Sequence, residues 1–146
     1  MKTRIFADAN ILIASADSRQ TASRAVLLMA EIGLFTLVVS RQVLDEAERN
    51  IRAKLPRALL NFAEQMSYLN LEILPDPTLA DSAKWEAIIE TKDAPILAAA
   101  VTANVDRILT LNTKDFTLEV AKKCGIPIQT PAQFIEDIRN IIDLGV

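Results

Sequence analysis

The sequence predicts an α/β fold in three layers, α/β/α, with a central parallel sheet of about five strands. Three observations predict it. Five short β-branched or apolar runs punctuate the chain, at Arg4 to Ala7, Thr36 to Val39, Leu71 to Leu74, Arg107 to Leu111 and Ile126 to Gln129. The four runs after the first are each preceded by helical sequence. Helix start signals recur between them: Ser40, Asp93 with Pro95 just inside, and Thr130 before Pro131. Right-handed crossovers then send every strand's carboxyl end to one edge of the sheet.

Taken in order, Ile5-Phe6-Ala7 reads as a buried strand that ends at Asp8, and residues 10 to 16 begin a helix. Ser23 to Ile32 forms the crossover to the second strand. Ser40 then opens a helix over Arg41 to Lys54, with Leu44, Ala47, Ile51 and Leu55 on its buried stripe. Arg57 to Tyr68 follows, rich in apolar residues (Leu59, Leu60, Phe62, Ala63 and Met66) that suit core packing better than an interface. Helical patterns over Leu79 to Glu90, Ala94 to Ala103, Lys114 to Lys123 and Pro131 to Ile142 complete the chain. With no linker, repeat or low-complexity tract, residues 1 to 146 read as a single domain, a length that can bury a sizeable core.

Composition excludes several chemistries. The chain is 51% hydrophobic and 24% charged, which is globular rather than disordered. No apolar run approaches the roughly 18 residues of a membrane span, and Met-Lys-Thr-Arg-Ile-Phe-Ala lacks a signal peptide's apolar core. A cytoplasmic location is expected, and the single Cys124 agrees with it. Histidine is absent, which removes histidine triads, histidine-bound zinc and an imidazole base. Net charge is −3, yet residues 1 to 57 hold nine Lys/Arg against six Asp/Glu. Arg49, Arg52, Lys54 and Arg57 can meet either a phosphate backbone or the helix's own dipole.

The predicted topology gathers distant acids at one edge. Asp8 follows the first strand, and Asp45, Glu46 and Glu48 lie on the helix after the second. Asp93 opens a later helix, and Asn112 and Asp115 follow the fourth strand. Carboxylates so gathered raise one another's pKa, and a divalent cation resolves the conflict. Oxygen ligands without nitrogen or sulfur suit Mg²⁺ or Mn²⁺. Each residue also has an ordinary structural use. Asp8 and Asp93 suit helix caps, Glu46 lies off the buried stripe and suits solvent, and Asn10 suits a cap. Asp106 suits solvent or a strand end, Thr110 suits a buried strand, Asn112 suits a turn, and Asp115 suits a helix start.

Four blocks then carry a resemblance over essentially the whole chain. They are Phe6-Ala7-Asp8-Ala9-Asn10-Ile11-Leu12-Ile13, Ser40-Arg41-Gln42-Val43-Leu44-Asp45-Glu46, Lys92-Asp93-Ala94-Pro95-Ile96-Leu97-Ala98-Ala99-Ala100, and Val105-Asp106-Arg107-Ile108-Leu109-Thr110-Leu111-Asn112-Thr113-Lys114-Asp115-Phe116. In this order and spacing they resemble the PIN-domain ribonucleases, especially toxins of the VapC-like type. The resemblance implies a metal-dependent endoribonuclease, with Asp8, Glu46 and Asp93 at the family's acidic positions. Many relatives carry an aspartate two residues after the threonine. Here Asn112 stands in that place, and Asp115 is the substitute fourth ligand. Asn10, Thr110 and Asn112 support the site, and Asp45 and Glu48 are substitutes for Glu46.

The implied reaction is hydrolysis of an RNA phosphodiester by metal-activated water. A toxin of this kind would meet an antitoxin that inserts a basic side chain into the acidic crevice, and would form a homodimer. Two alternatives stand beside this reading. One is a haloacid-dehalogenase-like phosphohydrolase, which Asn10 opposes because that family places a second aspartate there. The other is a non-catalytic module of the same fold that holds a partner's arginine.

Overall fold

A computed structural model describes residues 2–145. Strands β1 (Arg4–Ala7), β2 (Thr36–Ser40), β3 (Glu72–Leu74), β4 (Arg107–Leu109) and β5 (Ile128–Gln129) form one sheet in the order β3-β2-β1-β4-β5. Every pairing is parallel. β1 is the middle strand, with Phe6 opposite Val38 on one side and Ile108 on the other. Successive side chains of a strand point to opposite faces. Ile5, Phe6 and Ala7 are nevertheless all at most 1% exposed, and Leu37, Val38 and Val39 are equally buried. Both faces of the sheet are therefore covered, as a three-layer parallel sheet requires.

The covering helices are α1 (Ala9–Asp17), α2 (Ala22–Glu31), α3 (Arg41–Lys54), α4 (Leu59–Tyr68), α5 (Leu79–Ala83), α6 (Ala94–Thr102), α7 (Leu118–Cys124) and α8 (Pro131–Gly145). Thr21, Ser40, Thr78 and Thr117 cap four of them, each hydroxyl accepting the N–H three residues on. α1 packs against α2, α3 and α4, α2 against α8, and α5 against α6. Phe35 and Phe134 close the core edge to face, with ring centroids 5.5 Å apart. Among the described residues no helix is long and apolar enough to cross a membrane.

The expected elements are present, with boundaries that local chemistry moves. β4 stops at Leu109 rather than Leu111: Thr110 N–H still donates to the Gln129 carbonyl, but side chains take the two N–H groups after it. Leu111 donates to Asn10 Oδ1 at 3.0 Å, and Asn112 donates to Thr110 Oγ1 at 3.0 Å. β5 begins only after Pro127. The helix expected over Leu79 to Glu90 ends at Ala83. Beyond it Trp85 and Glu86 bond three residues back, to Ser82 and Ala83, and the chain proceeds in tight turns. The helix expected from Lys114 begins at Leu118, because Asn112 holds residues 113 to 116 in a turn and Thr117 supplies the cap. A short 3₁₀ turn (Pro56–Ala58) replaces the start of the helix expected from Arg57. Within α4 Phe62 faces the core while Leu60, Ala63 and Tyr68 are exposed, so its apolar residues are divided between core and surface.

Candidate metal centre

The carboxyl edge of the sheet holds a cavity of about 400 Å³ lined by Asp8, Asn10, Glu46, Asp93 and Asn112, with Gln42, Arg49, Asn50 and Lys92 around them. Asp8 sits at the end of β1, where its backbone N–H still donates to Leu109 at 3.0 Å and its extended conformation ends the strand. Oδ1 accepts the Ala9 N–H at 2.7 Å, so Asp8 does cap α1. Oδ2 accepts the Thr110 hydroxyl at 2.8 Å and the Asn10 amide at 3.3 Å. Capping thus occupies one oxygen, and the other is aimed by residues from both ends of the chain.

Thr110 is wholly buried and fully used. Its hydroxyl donates to Asp8 and accepts from Asn10 Nδ2 at 3.3 Å and from the Asn112 N–H at 3.0 Å. Asn10 completes the arrangement by accepting the Leu111 N–H. Asn10 and Thr110 therefore orient Asp8. Burial raises the Asp8 pKa, opposed by the donors Thr110, Ala9 and Asn10.

Glu46 lies on the flank of α3 that faces the cavity, four residues after Gln42 and three before Arg49. Burial and then the Asp8 charge raise its pKa, while Arg49 and Lys92 pull it down. The expectation of a solvated Glu46 is corrected here, since it is half-buried beside Asp8. Asp45 and Glu48 line an adjoining hollow with Arg49 and Arg52, and neither lines the cavity that holds Asp8 and Glu46.

Asp93 is placed by the turn that precedes α6, where Pro95 fits the first helical turn. It makes no side-chain cap, which corrects the reading of Asp93 as a plain N-cap. It is only 7% exposed, and among the described residues its Oδ2 is the one buried side-chain polar atom without a hydrogen-bond partner. Burial, and then the hydrogen bond and charge of Asp115, push its pKa up to about 7. Asp115 is held below the usual carboxylate range, first by the Asn112 amide, which donates to it at 3.0 Å. Asn112 therefore orients Asp115, and among the described residues it makes no hydrogen bond to Asp8. Asp106 accepts the Arg4 N–H at 2.8 Å, at the other end of β1 and away from the cavity.

A second acidic group adjoins the cavity. Ligand oxygens of Glu90, Asp93 and Asp115 lie within 4.8 Å of one another. Glu90 was not singled out from sequence, although its place three residues before Asp93 is a usable signal. Asp93 belongs to both groups, whereas Asp115 does not line the cavity that holds Asp8 and Glu46. The donor set is oxygen only, and its buried Asp93 keeps an unpartnered oxygen. That chemistry fits a hard divalent cation.

A parallel sheet whose central strand delivers a buried aspartate to a carboxylate-lined cavity defines an α/β domain with an acidic cavity at its carboxyl edge. The family model for the PIN domain matches residues 4–114, and the protein belongs to that family. The dehalogenase-like alternative falls with that assignment. Solved structures of the same fold include a toxin-antitoxin complex from Klebsiella pneumoniae at 22% identity, covering 87% of this chain and 97% of that one with a TM-score of 0.60. VapBC2 from Rickettsia felis, bound to a DNA fragment from its promoter, is 15% identical, with 88% and 98% covered and a TM-score of 0.60. VapC20 from Mycobacterium tuberculosis, a sarcin-ricin loop cleaving toxin, is 15% identical, with 71% and 86% covered and a TM-score of 0.53. A comparison with curated proteins finds no match.

Proposed function

We propose that the protein is a metal-dependent endoribonuclease that hydrolyses RNA phosphodiester bonds, and the toxin of a toxin–antitoxin pair. The observation that carries the reading is the convergence of Asp8, Glu46 and Asp93 on one cavity, with Asp93 Oδ2 buried and unpartnered. The similarity in fold to toxins from three organisms supports the toxin role and an antitoxin partner.

Asp8, Asp93 and Glu46 would hold the principal ion, with Asp115 and Glu90 on the far side of Asp93 as the place for a second. Bound there, Mg²⁺ or Mn²⁺ supplies the positive charge that activates water and offsets charge developing on the phosphate. The chain's own residues supply orientation and proton control. Thr110 and Asn10 fix the Asp8 carboxylate, so its ligating direction is set before substrate arrives. Asp93 keeps a proton to about pH 7 beside the acidic Asp115. That proton is shed when positive charge takes its place. Glu46, held above the usual carboxylate range by burial and by Asp8, is a group that can accept a proton from attacking water.

The test incubates purified protein with structured and unstructured RNAs in Mg²⁺ or Mn²⁺, against a chelator and beside Asp8→Asn. Asparagine can still accept the Ala9 N–H, so the α1 cap is retained, and a thermal melt of the variant checks that the fold survives. Cleavage should require the metal and be lost in the variant. Wild-type rates from Asp8→Asn, or cleavage indifferent to chelator, would overturn the reading. Mn²⁺ binding without cleavage of any RNA would favour the non-catalytic module instead.

A further inference from the structure

Two cations share the carboxylate cavity, and both pull down the pKa of Glu46. Arg49 enters from α3 and Lys92 from the segment leading into α6. Both are exposed at their ends. The basic cluster on α3 is not uniform: Arg52 is committed to Glu48 at 3.2 Å, whereas among the described residues Arg49 makes no ion pair. Lys92 has only a long contact, 3.8 Å to exposed Glu90. With all three acids ionised the cavity exceeds these two cations by one negative charge, and one bound divalent ion turns that balance positive. Charges committed to the carboxylates alone would be expected to form close ion pairs with them, which Arg49 does not.

We infer that Arg49 and Lys92 bind backbone phosphates of the RNA strand beside the bond to be cut, so that they set substrate affinity and not the chemical step. The inference rests on the ribonuclease reading of the same cavity. Arg49 offers a planar guanidinium that can engage two phosphate oxygens at once, and Lys92 offers a movable point charge. Contacts of this kind carry no base information, so they hold any single strand in register over the carboxylates.

The experiment measures binding of dye-labelled single-stranded RNA by fluorescence anisotropy with Mn²⁺, at several salt concentrations. Asp8→Asn provides a background that does not cut, alone and combined with Arg49→Gln, Arg49→Lys or Lys92→Gln. Each glutamine substitution should weaken binding about fivefold and flatten the dependence of log affinity on log salt by about 0.7, the value of one single-strand phosphate contact. Arg49→Lys should restore the slope, because it keeps the charge. Unchanged salt slopes, with only Mn²⁺ affinity or thermal stability altered, would show that the two cations merely neutralise the acids and would overturn the inference. Cleavage by the wild type is scored separately. If cleavage is absent while binding depends on Arg49 and Lys92, the nuclease reading fails alone; if cleavage is present while binding ignores them, this inference fails alone.

Discussion

Replacing Asp93 by Asn in metal-free protein should stabilise the fold at neutral and alkaline pH. Asparagine has the shape of protonated aspartate and carries no charge beside Asp115. In the wild type the Asp93 pKa rises from an ordinary 3.8 to about 7 on folding. The folded state therefore binds this proton more tightly than the unfolded chain. Stability linked to it is complete below about pH 4, falls as pH rises, and levels off above about pH 7. Three pK units correspond to about 4 kcal/mol. Asp115 acts in the opposite sense, since its folded pKa is lowered and its contribution is lost only as pH falls through the acid range. The two titrate as a pair, which makes about 2 to 4 kcal/mol the expected net difference. Urea denaturation in chelator at about pH 5 and about pH 8 measures it. The variant should exceed the wild type at the higher pH and approach it at the lower. Adding Mn²⁺ should raise the wild type and leave the variant little changed, because only a competent site gains from the ion. Parallel pH profiles, or a variant weaker than wild type at about pH 8 in chelator, would refute the reasoning.

Thr110→Val removes the shortest of the hydrogen bonds that aim Asp8 Oδ2; Mn²⁺ affinity measured calorimetrically should fall about tenfold while the fold persists. Glu46→Gln relieves the repulsion between Glu46 and Asp8, so the metal-free protein should hold or gain thermal stability while Mn²⁺-dependent RNA cleavage is lost. Gly125 has φ +75 with nothing near its missing Cβ, so Gly125→Ala should cost about 1 kcal/mol through backbone strain alone. Chemical denaturation checks that value, and a loss above about 3 kcal/mol would mean a packing role.

Legibility from sequence follows the range of the interaction involved. The β1 run and its terminal Asp8 were readable because strand burial and the acid that ends it are adjacent in the chain. The α6 start was readable from Pro95, yet the idle cap of Asp93 was not, because its neighbour Asp115 comes from a different element. Asn112 illustrates the same limit. Its turn chemistry was evident, but whether its amide serves Asp8 or Asp115 depends on how the loop after β4 folds. The end of α5 at Ala83 escaped because the helical pattern continues to Glu90 while the hydrogen bonds tighten to three-residue spacing. The separation of Arg49 from Arg52 is a matter of angle around α3, which became meaningful only once the cavity was located.

The place of β1 between β2 and β4 has a consequence in time. Asp8 is made long before its partners, for its N–H donates to Leu109 and its carboxylate accepts from Thr110. A ribosome must deliver about a hundred further residues before that carboxylate can be oriented, and strand pairing of such separation is slow compared with local helix formation. The cavity is thus assembled late. A growing chain carries the acid well before it holds the residues that aim it.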